Sequence, residues 1–315
     1  MNMNRSFAAM MRLTLAALVL LAGSPGASAA GKLQVVASLP DLAAVAQEVG
    51  GDRVEVAALA ETTQDPHFVD ARPHLILKLN RADLLVHAGL ELELGWLPVL
   101  VRGARNSRIY DGTPGNLDAS TAISVKEIPT GKVDRTMGDV HPTGNPHYMT
   151  DPQNGGRVAR AIADRLAKLD PAHAASYKAR AEAIQKRSGE MARRIAAQFN
   201  ALPEAKRRVV TYHRSLTYLV DWLGLIVVDE LEPKPGIAPS PAHVAKVLAE
   251  MRQAKVAAIL QEVYYPSRTS QLVATRSGAK LVLIPGFPDF AGGERYLDNL
   301  EEIADKVFQA LESRS

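Results

Sequence analysis

Short apolar runs rich in Val, Ile and Leu recur along the chain, each followed by a helical pattern, and this alternation constrains the fold more than any other feature. "LQVVASL" (33–39), "VEVAAL" (54–59), "DLLVHAG" (83–89) and "SRIYDG" (107–112) lack the strict polar alternation of a strand with one wet face, so they read as strands buried on both faces of a parallel sheet. Helical patterns such as "PDLAAVAQEVG" and "GWLPVLVRGA" separate them. A second series follows residue 207: "RVVTYH", "LIVVDE", "VAAILQEV" and "KLVLIPG", with helices expected over 215–223, 240–254 and 267–278. The fold class is therefore α/β, with two lobes that each carry a mostly parallel sheet flanked by helices.

Between the two series, "DPAHAASYKARAEAIQKRSGEMARRIAAQFNAL" (170–202) has a proline at its start and is dominated by Ala, Arg, Lys, Glu and Gln. A helix of that length spans ~45 Å at 1.5 Å per residue, longer than one lobe, so it is expected to join the lobes rigidly. A surface helix broken near Ser188 and Gly189 is the alternative. The domain reading is residues 1–30 as leader, 31–169 as the first lobe, 170–202 as the linking helix and 203–315 as the second lobe. Residues 125–156 form the longest stretch without periodicity, and a mobile loop is expected over about 125–150.

The first 30 residues carry Arg5 and Arg12, the apolar run "LTLAALVLLAG" and the small-residue ending "ASAA", the pattern of a cleaved secretory signal peptide. The apolar run is much shorter than the ~20 residues of a membrane span. The chain has no cysteine, so no thiol is available for a lipid anchor, and a free periplasmic protein is expected. Removing Arg5 and Arg12 from the 37 basic residues leaves 35 against 34 acidic ones. That balance gives no electrostatic footprint for nucleic acid, and none is expected as a partner.

Three of the eight histidines stand where a ligand site at the carboxyl ends of parallel strands would lie. His67 follows Asp65-Pro66, His147 follows Asn145-Pro146, and His213 ends "RRVVTYH". Neutral imidazole is the commonest protein ligand for zinc, and a preceding proline stiffens the backbone that presents it. Any one of the three alone reads better as a capping or hydrogen-bonding residue in a loop; the three together favour a metal site. His74 is expected to face solvent, His87 to be a satisfied strand histidine, and His173 and His243 to sit on helix first turns. Asp134, Asp139 and His141 in the long loop form a candidate for transient metal capture, with a solvated loop as the alternative.

The run "DPHFVDARPHLILKLNRADLLVHAGLELE" resembles the first-ligand region of the zinc and manganese substrate-binding proteins of ABC transporters. "NPHYMTDPQNG" is similar to that family's second-ligand segment and "RVVTYHRSLTYLVDWLGL" to its third, while "PSPAHVAKVLAEMRQAKVAAILQEVYYPSRTSQLVATRSGAKLVLI" is similar to its C-terminal lobe. The resemblance implies a metal ion held between two lobes by His67, His147 and His213. It also implies a carboxylate from the loop after the last strand, for which Asp289 in "LIPGFPDFAGGERYLDNLEEI" is the candidate, although that loop departs from the family's form. Glu262 in "LQEVYYP" matches an acidic position near the cleft and is a supporting group or substitute ligand.

Three imidazoles and one carboxylate suit Zn(II), whereas manganese prefers more oxygen. The expected function is capture of zinc in the periplasm and delivery to an ABC permease in the inner membrane. The protein is expected to act as a monomer, with a zinc metallochaperone as a further candidate partner. Manganese or iron(II) binding is the alternative within the same family. A zinc hydrolase is the competing class, but neither HExxH nor HxxEH occurs, nor a Gly-x-Ser-x-Gly elbow, and no enzyme is expected.

Overall fold

The computed structural model describes residues 31–131, 140–234 and 236–312. Its first sheet takes β1 (Leu33–Ala37), β2 (Val54–Ala58), β3 (Leu84–His87) and β4 (Asn116–Asp118) in the order β2-β1-β3-β4, with every pair parallel. Helices α1 (Pro40–Gly50), α2 (Pro73–Arg81) and α3 (Leu97–Ala104) connect them. Pro40 and Pro73 open their helices where an amide hydrogen would have no intrahelical partner, so proline's missing donor costs nothing there. The fourth strand is not the expected "SRIYDG". Asn106 caps a 3-10 turn at Ser107–Ile109 by accepting a hydrogen bond from the Arg108 amide, and the strand forms farther on, at Asn116–Asp118.

Two antiparallel helices follow, α4 (Pro152–Leu169) and α5 (Ala174–Asn200). α4 starts inside the stretch expected to be loop to residue 156, because Asp151 accepts from the Gln153 amide and caps it. α5 runs unbroken through Ser188 and Gly189. Its buried residues, Tyr177, Ala181, Ile184, Ser188, Met191, Ile195 and Phe199, repeat at three- and four-residue spacing, and Gly156 of α4 lets Ser188 approach closely. The 27 residues of α5 reach ~40 Å.

The second sheet repeats the pattern of the first. Strands β5 (Arg208–Thr211), β6 (Ile226–Glu230), β7 (Ala258–Glu262) and β8 (Lys280–Ile284) are parallel in the order β6-β5-β7-β8. They are linked by α6 (Thr217–Trp222), α7 (Pro241–Ala254) and α8 (Arg268–Ser277). In both sheets the chain steps back across its first strand, which creates the switch point outside the strand ends where ligands bind in open α/β sheets.

The final helix, α9 (Tyr296–Glu312), does not stay with the second sheet. It packs against α1, α4 and α5 as well as β7 and β8, and Arg194 of α5 donates to Glu301 at 2.6 Å. The buried Tyr296 hydroxyl donates to the Met149 carbonyl at 2.7 Å and lies 3.0 Å from the Asp151 carbonyl. One hydrophobic core therefore runs from Val35 and Leu84 in the first sheet through Tyr148 and Leu216 to Leu260 and Val307, and Leu33–Ser315 form one compact unit. A two-lobe fold whose lobes share a core, a long helix and a terminal helix resists wide hinge motion. Among the described residues no helix is long and apolar enough to cross a membrane.

Candidate metal centre

His67, His147 and His213 are brought together from three separate loops. One ligating nitrogen of each lies within 4.8 Å of the others, and the ring centroids form a nearly equilateral triangle with sides of 5.2, 5.7 and 5.9 Å. His67 follows β2, His147 precedes α4, and His213 stands two residues beyond β5.

The first two histidines are held by the same local device. In Asp65-Pro66-His67, the Asp65 Oδ1 accepts from the His67 amide at 3.0 Å and lies 2.8 Å from the His67 Nδ1. In Asn145-Pro146-His147, the Asn145 Oδ1 accepts from the His147 amide at 2.9 Å and lies 3.0 Å from its Nδ1. Proline fixes the middle of the turn, so the residue two places earlier folds back over both donors. Surrounding groups pin the turns: the buried Trp96 indole donates to the Pro66 carbonyl at 2.9 Å, and the Tyr218 hydroxyl donates to the Asn145 carbonyl at 3.0 Å. His213 uses a long-range partner, Glu232 beyond β6, whose Oε2 lies 2.6 Å from Nδ1.

With every Nδ1 engaged, Nε2 is the atom each ring has left; a metal-ligating histidine is usually oriented in this way by a hydrogen bond on its other nitrogen. The His147 Nε2 is buried without a hydrogen-bond partner. A buried nitrogen lone pair facing two other imidazoles is costly unless something occupies the space between them, and a cation satisfies all three at once. Asp65 and Glu232 place two carboxylates behind the His67 and His213 rings, which offsets a divalent ion without a carboxylate bound to it.

The electrostatics agree. Burial, reinforced by His67, His213 and His141, holds His147 well below the usual imidazole range, so its ring is neutral. Burial alone would lower His213 as well, but the Glu232 carboxylate outweighs it and raises this group. Burial would raise Asp65, but its contact with His67 lowers it and keeps the carboxylate ionised.

The remaining sequence candidates fall in different places. Asp289 does not join the histidines: it is exposed, its Oδ1 accepts from the Gly292 amide at 3.0 Å, and its own amide donates to Glu294 at 2.6 Å. The "PDFAGGE" turn satisfies Asp289 locally, apart from the three histidines, where it had been expected as the fourth ligand. Glu262 ends β7 and is 3% exposed, with an Oε2 that has no partner, yet it also lies outside the histidine group. Burial raises its carboxyl. Asp134 and Asp139 lie outside the described residues.

His141, expected only to capture metal transiently, lies against His67, although it too is outside the group of three. Its Nε2 is 3.3 Å from that of His67, and their rings stack at 5.4 Å. Two nitrogens bound to one tetrahedral zinc at 2.0–2.1 Å are about 3.3–3.4 Å apart, so this spacing fits a shared ion. Burial, with His67 and His213 nearby, pushes His141 down to about 4. A cleft of about 380 Å³ opens beside these rings, bordered by Glu127, His141, Asn145, His147 and His213.

Sequence reasoning did not single out Asp65, Asn145 or Glu232. For the first two a signal existed, since an Asx residue two places before histidine across a proline is a turn with a mechanism. For Glu232 there was none, because only the sheet brings the end of β6 beside the end of β5.

Two parallel sheets that share a core and present histidines between their strand ends define a bilobal metal-binding protein of the solute-capturing type. The family described as zinc-uptake complex component A, periplasmic (ZnuA), matches residues 35–310, and the chain belongs to it. The protein is thus a metal-binding substrate-binding component of an ABC transporter, acting outside the cytoplasm with a cognate permease, and is not an enzyme. Among curated relatives, the metal ABC transporter substrate-binding lipoprotein FimA of Streptococcus parasanguinis is 25% identical over 301 residues, 93% of this chain and 94% of that protein. The manganese ABC transporter substrate-binding lipoprotein PsaA of Streptococcus pneumoniae is 25% identical over 294 residues, 90% of this chain and 91% of that one. Among solved structures, a crystal structure of ZnuA superposes with a TM-score of 0.74 at 22% identity, covering 89% of this chain and 99% of that one. A Mn-bound periplasmic metal-binding protein from candidatus liberibacter asiaticus gives 0.73 at 22%, covering 89% and 100%. At such identities these structures speak for the fold alone.

Proposed function

We propose that this protein captures Zn(II) in the periplasm through His67, His147 and His213 and delivers it to its permease. The observation that carries this reading is the triangle of imidazoles with every Nδ1 hydrogen-bonded and the His147 Nε2 buried without a partner. A nitrogen-rich set suits zinc, whereas manganese favours carboxylate and water oxygens. His141 supplies a fourth nitrogen at the mouth of the site by sharing the ion with His67. The protein acts free of a lipid anchor, a reading supported by the absence of cysteine, and as a monomer; a metallochaperone is an alternative to direct loading from solution.

The competing reading is manganese, since several relatives are described as manganese proteins, with Glu262 as the nearby oxygen donor. A competition titration of metal-free protein with Zn²⁺ against Mn²⁺, together with the metal content of protein taken from the periplasm, separates the two. Zinc bound at one equivalent and not displaced by a large excess of manganese supports the proposal. Manganese retained under the same competition would overturn it.

A further inference from the structure

The two Asx-Pro-His turns differ in one atom, and that difference creates a problem which the structure solves with a residue outside the site. Asp65 is ionised and acceptor-only, so either carboxylate oxygen serves His67 and no wrong orientation exists. Asn145 has an oxygen on one side of its amide and an NH₂ on the other. Turned the wrong way, it would present a donor to the His147 Nδ1, which favours the tautomer with the proton on Nε2 and removes the lone pair needed by a cation.

The partners on the far side of Asn145 prevent this. Its Nδ2 donates to the Glu127 Oε2 at 2.8 Å, to the Arg214 carbonyl at 2.9 Å and toward the Thr217 Oγ1 at 3.3 Å. Glu127 and the Arg214 carbonyl are pure acceptors, so they demand the NH₂ and leave the oxygen for His147. The Thr217 hydroxyl lies 2.9 Å from the Arg214 carbonyl and 3.2 Å from the Glu127 Oε1, and its single hydrogen serves one of these two acceptors at a time. Glu127 holds its place with φ 54°, a left-handed conformation costly for a residue with a side chain and maintained only where the surroundings enforce it. The Asn145 amide also donates to the Lys126 carbonyl at 2.9 Å, and the Lys126 amide donates to the Tyr218 hydroxyl at 2.8 Å, so the segments carrying Glu127 and Asn145 are clasped against α6.

Resting on the zinc-capture reading, we propose that Glu127 is a positioning residue of the metal site. Its carboxylate sets the orientation of the Asn145 amide, which sets the His147 tautomer, and the same amide ties this histidine to the main chain immediately after His213. Ligands from the two lobes thus share one hydrogen-bonded junction, and the site stands ready before metal arrives.

The test is a set of variants of the full chain read in two ways. The first readout is the His147 ring tautomer in metal-free protein by ¹⁵N NMR, which needs no metal. The second is zinc affinity by chelator competition. Wild type is expected to show the proton on Nδ1. Glu127→Ala is expected to mix the tautomers and weaken zinc about 10-fold, within the 10–100-fold range for outer partners of metal ligands, and Glu127→Gln, which retains an acceptor oxygen, to lose less. Asn145→Asp sets two carboxylates against each other and is expected to lose affinity, whereas Glu127→Gln combined with Asn145→Asp restores a donor facing an acceptor and recovers most of it. A purely packing role would show no such recovery. An unchanged tautomer in Glu127→Ala, or a double variant no better than Asn145→Asp alone, would overturn the proposal. Should wild type bind no zinc, the function proposed above falls while the tautomer measurement still decides this one.

Discussion

Asp65 offers a quantitative test of whether charge behind the imidazoles contributes to metal capture. It lies 2.8 Å from the His67 Nδ1, and a metal on Nε2 at 2.0–2.1 Å would stand roughly 6 Å from the carboxylate oxygen across the ring. Coulomb's law for a divalent ion and one negative charge at that distance gives about 1.4 kcal/mol in water and about 5 kcal/mol at an effective dielectric of 20. The Asp65 side chain is 22% exposed, so the true value lies between these limits. Removing a carboxylate of this kind costs 10–100-fold in affinity, or about 1.4–2.7 kcal/mol, inside the same bracket. Asp65→Asn removes the charge and keeps an oxygen able to accept from both His67 donors, but without acceptors like those that hold Asn145 in place. Asp65→Ala removes the orientation as well. The expected order of zinc affinity is wild type, then Asp65→Asn about 10-fold weaker, then Asp65→Ala up to about 100-fold weaker, measured by competition with a chromophoric chelator. Equal affinities for all three would refute the claim that charge and orientation behind His67 matter.

Asp289→Ala is expected to leave zinc affinity within about 3-fold of wild type, because its carboxylate caps its own turn, whereas losing a direct ligand would cost orders of magnitude; a loss of that size in the titration would show that the loop refolds onto the ion. Affinity is expected to rise with pH: His213 is held above the usual imidazole value by Glu232, so metal must displace its proton until the pH passes that raised value, and Glu232→Gln should move the rise to lower pH in calorimetry. In metal-free protein His147 is depressed, so the unfolded chain takes up the extra proton first and stability should fall as pH drops below 6.5, seen as a lower melting temperature. Gly155→Ala should destabilise by about 1–3 kcal/mol in urea titration, because the added carbon would fall 2.0 Å from the Tyr296 ring that anchors α9 beside His147.

The architecture was legible because strands buried on both faces leave apolar runs that survive without alignment, and β1, β3, β5 and β7 lie within the runs read for them. The fourth strand was not, for a physical reason: the buried Ile109 belongs to a 3-10 turn, while Asn116–Asp118 has a single buried residue, Leu117, and offers no periodicity. The start of α4 was hidden because Pro-Gln-Asn-Gly-Gly reads as a loop, yet the two glycines are there for close packing against Tyr296 and α5. α9 packs back across helices of the first lobe through contacts that no local pattern encodes.

At the site, the three histidines were legible from their place beyond strand ends, and the structure brings them together. The fourth position was not. Asp289 has the right chemistry, but its carboxylate is used by Gly292, a competition between local turn and distant ligand that spacing cannot resolve. His141 lies beside His67 and four residues before Asn145, whose hydrogen bond to the Arg214 carbonyl depends on the second lobe.

The central claim is that His67, His147 and His213 close on one ion. Zinc K-edge X-ray absorption on the stoichiometric complex tests it most directly. The account expects at least three imidazole nitrogens at about 2.0–2.1 Å, with one imidazole lost in His213→Ala. A shell dominated by oxygen, or one unchanged by that substitution, would contradict it.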